Sequence, residues 1–157
     1  IMEDESRLIG RCALPLTLQE KLREATLVML EASLEERVHH SWENYILSNY
    51  REQVAICNSD AVAFTAFADS LRLSLGNIRK RLGGARYQEL SKVLEAALAA
   101  HQQGDPEPHK QWIEVLLRDY YDPMYDYQLK SKQRHVVFCG NFTEVLEFLP
   151  RSVRHAE

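Results

Sequence analysis

The chain has 157 residues, of which 45% are hydrophobic and 27% charged, and its formal net charge is −4. These values are typical of a soluble protein with one domain, or with one small domain and part of another. No apolar run approaches the roughly 20 residues that span a bilayer, which excludes a membrane protein. We expect no secretory signal, because the opening "IMEDES" carries acidic residues where a signal would be basic. We therefore expect a cytoplasmic protein with no membrane partner.

The cysteines, Cys12, Cys57 and Cys139, are far apart and odd in number. Because no C-x-x-C pair is present, neither a zinc site nor a disulfide framework is predicted, and we expect reduced thiols. The sequence places no candidate general base beside any of these cysteines, so none of them is a predicted nucleophile. No set of metal ligands is predicted either.

The start of the chain predicts a strand and a short helix. Residues 1–10 are typical of the end of a strand that runs into a loop. The stretch "TLQEKLREA" predicts a helix, and Thr17 and Glu20 have the spacing of a capping box.

The next segment predicts half of a βαβ unit. Residues 26–32, "TLVMLEA", predict a buried strand. Ser33 and Glu36 form a second predicted capping box, which opens a helix that reaches about Tyr50. A strand followed at once by a capped helix indicates a parallel sheet.

The middle of the chain predicts three helices, each with one apolar face. Gly83 and Gly84 end the first helix, and "DPEP" ends the second. Apolar residues recur every three or four positions in each. The predicted core positions are Phe64, Phe67, Leu71, Leu75, Ile78 and Leu82, then Tyr87, Leu90, Val93, Leu94, Ala97 and Leu98, then Trp112, Ile113, Leu116, Leu117 and Tyr120.

The sheet returns near the end of the chain. Residues 134–140, "RHVVFCG", predict a short strand. A helix follows, capped by Asn141 with Glu144 three residues on. Two α/β segments therefore flank a helical insertion.

Carboxylates at the end of the first strand form the first candidate site. Glu3, Asp4, Glu5 and Arg7 would lie at the carboxyl end of a parallel strand, where such folds bind ligands. In a phosphate-binding enzyme these carboxylates can hold Mg²⁺ or orient a water. A solvated acidic turn is the alternative. No G-x-x-x-x-G-K-[ST] loop is present to cradle a triphosphate.

Arg37 follows the second predicted strand closely enough to reach the same edge, where its guanidinium could pair with phosphate. A structural role is the alternative. Adjacent His39 and His40 do not share a helix face, which makes them poor metal ligands and favours structural roles for both.

Five cations, in and just before "NIRKRLGGAR", concentrate positive charge in an acidic chain. A phosphate backbone would require such a patch, whereas a solvated basic helix end is the equal alternative. These cations are Arg72, Arg79, Lys80, Arg81 and Arg86.

The segment "YYDPMYDYQL", residues 120–129, predicts a joint between two helices. Pro123 bars the preceding helix from continuing, and Asp122 is the predicted cap of a new one. Tyr120 belongs to the core stripe. The alternative is an RNA surface in which aromatic rings stack on bases beside cations, formed by Tyr121, Tyr125, Tyr127, Lys130 and Lys132.

Four stretches together resemble a known family. "EDESRLIG", "EASLEERVHHSWENY", "IRKRLGGARYQEL" and "YYDPMYDYQLKSKQRHVVFCGNFTEVLEFL" are similar to the C-terminal part of bacterial tRNA 2-selenouridine synthases. That family joins an N-terminal rhodanese-like domain, which carries the catalytic cysteine, to a P-loop domain with a Walker A motif. The resemblance implies that the rhodanese-like domain and the Walker A loop lie before Ile1 and that no catalytic residue lies in this chain.

The resemblance also implies a fold. We expect an α/β, mostly helical chain that forms the C-terminal part of a P-loop NTPase-like parallel sheet with a helical insertion. The expected divisions are residues 1–52 for the P-loop-like part, 53–131 for the helical insertion, and 132–157 for the returning strand and terminal helix.

The implied reaction replaces the sulfur of wobble 2-thiouridine in tRNA with selenium. Its implied substrates are selenophosphate and geranyl diphosphate, with a geranylated intermediate, and the implied partners are the anticodon region of tRNA and the N-terminal part of the same polypeptide. By itself the chain is expected to be inactive. Two alternatives stay open: an enzyme of the nucleotide- or small-molecule-kinase type, and a helical interaction module without chemistry.

Overall fold

The structure, a computed structural model, describes residues 2, 8–9, 12–131 and 135–153. Of residues 131 and 150–153 it describes the backbone only. Helices dominate this part of the chain. They are α1 (Leu16–Glu24), α2 (Leu34–Trp42), α3 (Asn49–Ile56), α4 (Asp60–Asn77), α5 (Arg79–Leu82), α6 (Gly84–Gln102), α7 (His109–Leu116), α8 (Asp122–Ser131) and α9 (Phe142–Val153).

Two π-helical segments and four short strands complete these elements. The first π segment (Glu43–Ser48) joins α2 to α3, and the second (Leu117–Tyr121) joins α7 to α8. The strands are β1 (Leu8–Ile9), β2 (Cys12–Ala13), β3 (Leu27–Leu30) and β4 (Val136–Gly140). The predicted fold class, mostly helical α/β with a small parallel sheet, is confirmed at this level.

The chain divides into two compact units, Ser33–Tyr125 and a unit made of Ile1–Ala32 with Asp126–Glu157. We call them the helical unit and the sheet unit. This division falls at other positions than the expected limits at residues 52 and 131. The reason lies in α2 and the π segment after it, because Val38, Trp42 and Ile46 are buried in the core of the helical unit.

In the sheet unit, β3 and β4 pair in parallel, as predicted. Leu27 lies opposite Val136, and a register shift separates it from Val28, which lies opposite Phe138. Of the described strands, β3 pairs with β4 alone, so its side chains stay partly exposed and Leu30 is 57% exposed. The prediction of a buried strand is therefore wrong for the described residues.

The beginning of the sheet unit differs from the prediction. β1 and β2 form an antiparallel pair that was not predicted. α1 begins at Leu16 with Pro15 as its N-cap, and no side chain caps it. Pro15 has a φ of −53°, already suitable for a helix, so the chain turns helical before Thr17 can act as a cap. The predicted Thr17 capping box is wrong.

The capping box at the start of α9 is confirmed. The Asn141 side chain accepts from the Glu144 amide at 3.1 Å, and Glu144 accepts from the Asn141 amide at 2.8 Å. A Cβ at Gly140 would lie 2.8 Å from Glu144 Oε2, so a larger residue there would displace the carboxylate that closes the box.

In the helical unit, α2 opens with the predicted capping box of Ser33 and Glu36. The helix continues through the first π segment to Ile56, beyond the predicted end at Tyr50. All core positions predicted for the three middle helices are buried or pack against the buried cluster. Trp42 joins that core and donates from Nε1 to the carbonyl of Pro106 at 2.9 Å.

A buried polar chain runs through this core. Trp112 Nε1 donates to His109 Nδ1 at 2.9 Å, and His109 Nε2 lies 3.3 Å from Nδ1 of His101. Because the indole N–H can only donate, a neutral His109 carries its proton on Nε2 and donates to His101. Burial, and then His101, lower the pKa of His109 from 6.5 to about 4, and burial lowers that of His101.

The predicted joint at Asp122 and Pro123 is wrong, because the chain stays helical from α7 through the second π segment into α8. Asp122 has φ −58° and ψ −50°, and its amide donates to the carbonyl of Leu117, five residues earlier. Pro123 has no amide hydrogen for the carbonyl of Asp119 and would crowd it in a regular helix. The wider π segment directly before Pro123 relieves that crowding.

Candidate nucleic-acid interface

The predicted acidic cluster cannot be placed, because Glu3, Asp4, Glu5 and Arg7 lie outside the described residues, as does Lys132. Over the residues that the structure does describe, no group of three His, Cys, Asp or Glu side chains is arranged to hold a metal ion. Over the same residues, no helix is long and apolar enough to cross a membrane.

An open pocket of about 280 Å³ lies along β4 and α9. Its lining contains two carboxylates and no cation, so it does not suit a phosphate group. One of these carboxylates, Glu144, already caps α9. The lining residues are Phe138, Cys139, Glu144, Glu147 and Phe148. Cys139 is an exposed free thiol, as is Cys12, while Cys57 is a half-buried one.

Arg37 is held by a carboxylate of the same unit. Its two terminal nitrogens donate to the two carboxylate oxygens of Asp122, Nη2 to Oδ2 at 3.0 Å. This pairing raises the pKa of Arg37. Asp122 therefore acts as an ion-pair partner and not as the predicted cap. The phosphate-binding role of Arg37 stays a prediction. His39 and His40 are exposed, and the ring of His39 stacks on Trp42.

We call Arg79, Lys80, Arg81 and Arg86 the basic elbow. All four are exposed and lie on α5 and the first turn of α6. The chain turns between these helices at Gly83, whose φ of 82° and ψ of 155° favour glycine. One turn of helix followed by a sharp bend thus gathers four cations in a short stretch.

The basic elbow meets the tyrosine segment. The Tyr120 side chain lies close enough to the Arg81 guanidinium to raise its pKa. Arg86 Nη1 donates at 3.2 Å to the carbonyl of Asp119, the group that Pro123 leaves without its usual partner. The Arg79 guanidinium lies over the ring of Tyr87 at 5.2 Å. The structure therefore brings together two candidates that are more than thirty residues apart in the chain.

Arg72 differs from the basic elbow because two carboxylates already surround it. Its guanidinium donates to both oxygens of Glu95, at 2.7 and 2.8 Å, and to Asp69 at 2.9 Å. Glu95 and then Asp69 raise the pKa of Arg72. The charge of Arg72 is thus largely compensated within the helical unit.

We call Tyr45, Tyr120, Tyr121 and Tyr125 the tyrosine cluster. Tyr120 and Tyr121 meet edge to face with ring centroids 4.9 Å apart. Burial raises the pKa of Tyr121, and the neighbouring Tyr120, Tyr125 and Tyr45 raise it further. Tyr45 is 63% exposed and Tyr125 is 56% exposed.

Tyr45 was missed in the sequence. It lies eight residues after Arg37, a spacing that returns to the same helix face, and this was the available signal. Tyr127 is 73% exposed and Lys130 is exposed; both lie on the part of α8 that belongs to the sheet unit. The RNA-binding roles of Tyr127 and Lys130 stay predictions.

Comparison with known proteins decides the family. The family model described as "tRNA 2-selenouridine synthase AAA domain" matches residues 1–156. The chain belongs to this family. The resemblance found in the sequence is therefore confirmed.

Relatives with the name tRNA 2-selenouridine synthase are much longer than this chain. The protein of Hahella chejuensis is 51% identical over 152 residues, which cover 97% of this chain and 40% of the relative. Those of Ectopseudomonas mendocina and Azotobacter vinelandii are 44% and 47% identical, over 99% and 95% of this chain and 42% and 40% of the relatives. No solved structure matches the chain.

Proposed function

We propose that the chain is part of a longer transferase that converts wobble 2-thiouridine of tRNA to 2-selenouridine. Selenophosphate is the proposed selenium donor. Geranyl diphosphate is the proposed source of the geranyl group in a geranylated intermediate. The observation that carries the proposal is the family match over residues 1–156. Because the chain covers 40% of the Hahella chejuensis relative, we assign the activity to the longer polypeptide and none to this chain by itself.

The sheet unit is the proposed C-terminal part of a P-loop-type parallel sheet. The parallel pairing of β3 with β4 supports this role, as do the exposed apolar side chains of Leu30 and Val137 at 57% and 41%. In this proposal the N-terminal part of the same polypeptide supplies the catalytic cysteine, the Walker A loop and further strands. In this proposal the carboxylates of residues 3–5 hold Mg²⁺ at the phosphate site, and Arg7 and Arg37 pair with the phosphate.

The helical unit is the proposed tRNA-binding part of a cytoplasmic enzyme, with the anticodon region as its target. Four exposed cations in the basic elbow, within a chain of net charge −4, support phosphate contacts at this place. Arg86 is anchored by its hydrogen bond to the carbonyl of Asp119, which preforms this part of the elbow. Preformed contacts lose less conformational entropy on binding.

The test removes charge from the basic elbow in the full-length polypeptide. The triple variant Arg79→Gln, Lys80→Gln, Arg81→Gln is titrated with tRNA across a salt series. We expect affinity to fall at least about tenfold at low salt, and the slope of log K against log salt to become shallower by about 2. The slope is expected to become shallower because each phosphate contact releases counterions when it forms, and the variant forms fewer such contacts.

A double variant, Arg51→Gln with Lys92→Gln, is the matched control, since both cations are exposed in the same unit but lie outside the elbow. This control should keep the affinity and salt slope of the wild type. Equal affinities of the triple variant and the wild type at every salt concentration would contradict the tRNA-binding role of the elbow. Conversion of 2-thiouridine in tRNA, followed by mass spectrometry of nucleosides, tests the proposed reaction separately.

A further inference from the structure

The ion pair between Arg37 and Asp122 occupies the atoms with which Arg37 would bind a phosphate. Both Nη nitrogens of Arg37 donate to this one carboxylate, Nη2 to Oδ2 at 3.0 Å. A guanidinium binds a phosphate end-on through the same two nitrogens, with one hydrogen bond from each. Arg37 therefore cannot bind a phosphate end-on as long as Asp122 holds it.

The third nitrogen of this guanidinium is unsatisfied. Nε of Arg37 is buried and has no hydrogen-bond partner among the described residues. A buried donor without an acceptor lowers stability. A side-on contact through Nε and one Nη is also closed to a ligand, because Nε is shielded from solvent. The guanidinium thus leaves one donor unpaired in this position and presents neither of its two bidentate arrangements to a phosphate.

The pair is nonetheless open to exchange at its outer side. The side chains of Arg37 and Asp122 are 35% and 34% exposed. Ion pairs that are exposed to this extent contribute little to stability, because water and salt screen them. A phosphate group brings more negative charge and more acceptor oxygens than a carboxylate does. A guanidinium that turns from Asp122 to a phosphate can therefore replace the lost bonds and also find an acceptor for Nε.

Arg72, in the same unit, is an arginine without this deficiency. Its Nε and Nη2 donate to the two oxygens of Glu95 at 2.7 and 2.8 Å, and its Nη1 donates to Asp69 at 2.9 Å. All three nitrogens of that guanidinium have an acceptor. Arg37 has a single carboxylate as its partner and keeps one nitrogen unpaired. The comparison identifies Arg37, and not Arg72, as an arginine that gains from a change of partner.

We propose that Asp122 is the resting partner of Arg37 and that a phosphate group of the substrate displaces it. This inference rests on the proposed function, in which Arg37 pairs with phosphate, and it adds Asp122 as a positioning residue. Asp122 holds the guanidinium until phosphate binds. The fraction of molecules in which Arg37 is released then sets the apparent affinity for phosphate.

The experiment measures binding of inorganic pyrophosphate to the full-length polypeptide by calorimetry. Asp122→Asn keeps the size of the side chain and one acceptor oxygen but removes the charge. We expect this variant to bind pyrophosphate about two- to fivefold more tightly, because a partly exposed ion pair no longer competes. Arg37→Gln should bind it about tenfold more weakly. Asp122→Asn should have no effect when Arg37→Gln is also present, because Asp122 acts only through Arg37.

Glu95→Gln is the matched control, because it removes a carboxylate from another paired arginine of the same unit and should leave the affinity unchanged. If the wild type binds no pyrophosphate, or Arg37→Gln binds it equally well, the phosphate role of Arg37 in the proposed function fails. If Arg37→Gln weakens binding but Asp122→Asn does not tighten it, the exchange alone is overturned. A gain that persists in the double variant would also overturn the exchange, because it would reflect only the loss of a negative charge.

Discussion

Acidification should destabilise the helical unit through its buried histidine pair. The pKa of His109 is lowered from 6.5 to about 4, first by burial and then by His101. The unfolded chain therefore binds more protons than the folded chain between these two values. Stability from this group is complete above pH 6.5 and is lost progressively as the pH falls from 6.5 to about 4.

The magnitude follows from the two pKa values, 6.5 unfolded and about 4 folded. The free energy of unfolding should fall by about 2 kcal/mol between pH 7 and 5 and by about 3 kcal/mol between pH 7 and 4. Below about pH 3 this group contributes no further loss, because it is then protonated in both states. Protonation at Nδ1 would also remove the acceptor for Trp112 Nε1, which leaves a buried donor unpaired.

The assay is urea unfolding of the chain between pH 4 and 7, followed by tryptophan fluorescence. Trp42 and Trp112 are both buried in the helical unit, so their emission reports on that unit. His109→Asn removes the titrating group while an amide oxygen can still accept from Trp112. The exposed His40 provides the matched control, His40→Asn.

We expect the asparagine variant of His109 to be less stable at pH 7 but to lose about 3 kcal/mol less than the wild type on going to pH 4. The carboxylates that titrate in this range, such as Glu95 with its lowered pKa, cancel in the difference between proteins. The reasoning is refuted if wild type and His109→Asn lose the same free energy, or if His40→Asn flattens the profile equally.

Two further predictions concern stability, each measured by the same urea assay. Gly83→Ala should lower the free energy of unfolding by about 1 to 3 kcal/mol, because a side chain is strained at φ 82°. Gly84→Ala, at the first position of α6, should not lower it. Equal losses for the two variants would contradict the backbone argument. In a double-mutant cycle, Arg37→Gln and Asp122→Asn should show a coupling energy of about 1 kcal/mol. This coupling should weaken with salt, because the two side chains are 35% and 34% exposed. Strictly additive losses of stability would contradict the ion pair's contribution.

The features that were predictable from the sequence are those that depend on near neighbours. The capping boxes at Ser33 and Asn141 require only residues three positions apart, and both are present. The apolar stripes of the middle helices depend on helical periodicity, and every predicted position is buried or packs against the buried cluster. Parallel pairing of β3 and β4 followed from the strand-helix order.

The predictions that failed depend on competing or distant partners. Thr17 had the spacing of a cap, but Pro15 starts the helix first. Asp122 stood before a proline in the pattern of a helix start, yet its carboxylate binds Arg37, 85 positions away. The sequence contains no local sign of this partner or of a π segment that accommodates Pro123.

The same proline helps to explain how the candidate interface is assembled. By withholding an amide hydrogen, Pro123 leaves the carbonyl of Asp119 available, and Arg86 of the basic elbow donates to it. A residue that was predicted to end a helix instead creates the acceptor that anchors a cation beside the tyrosine cluster. The elbow therefore meets the segment that carries Tyr120 and Tyr121, although the sequence offered the two as separate candidates. Cations next to aromatic rings suit an RNA loop, because its phosphates and its unpaired bases are bound together.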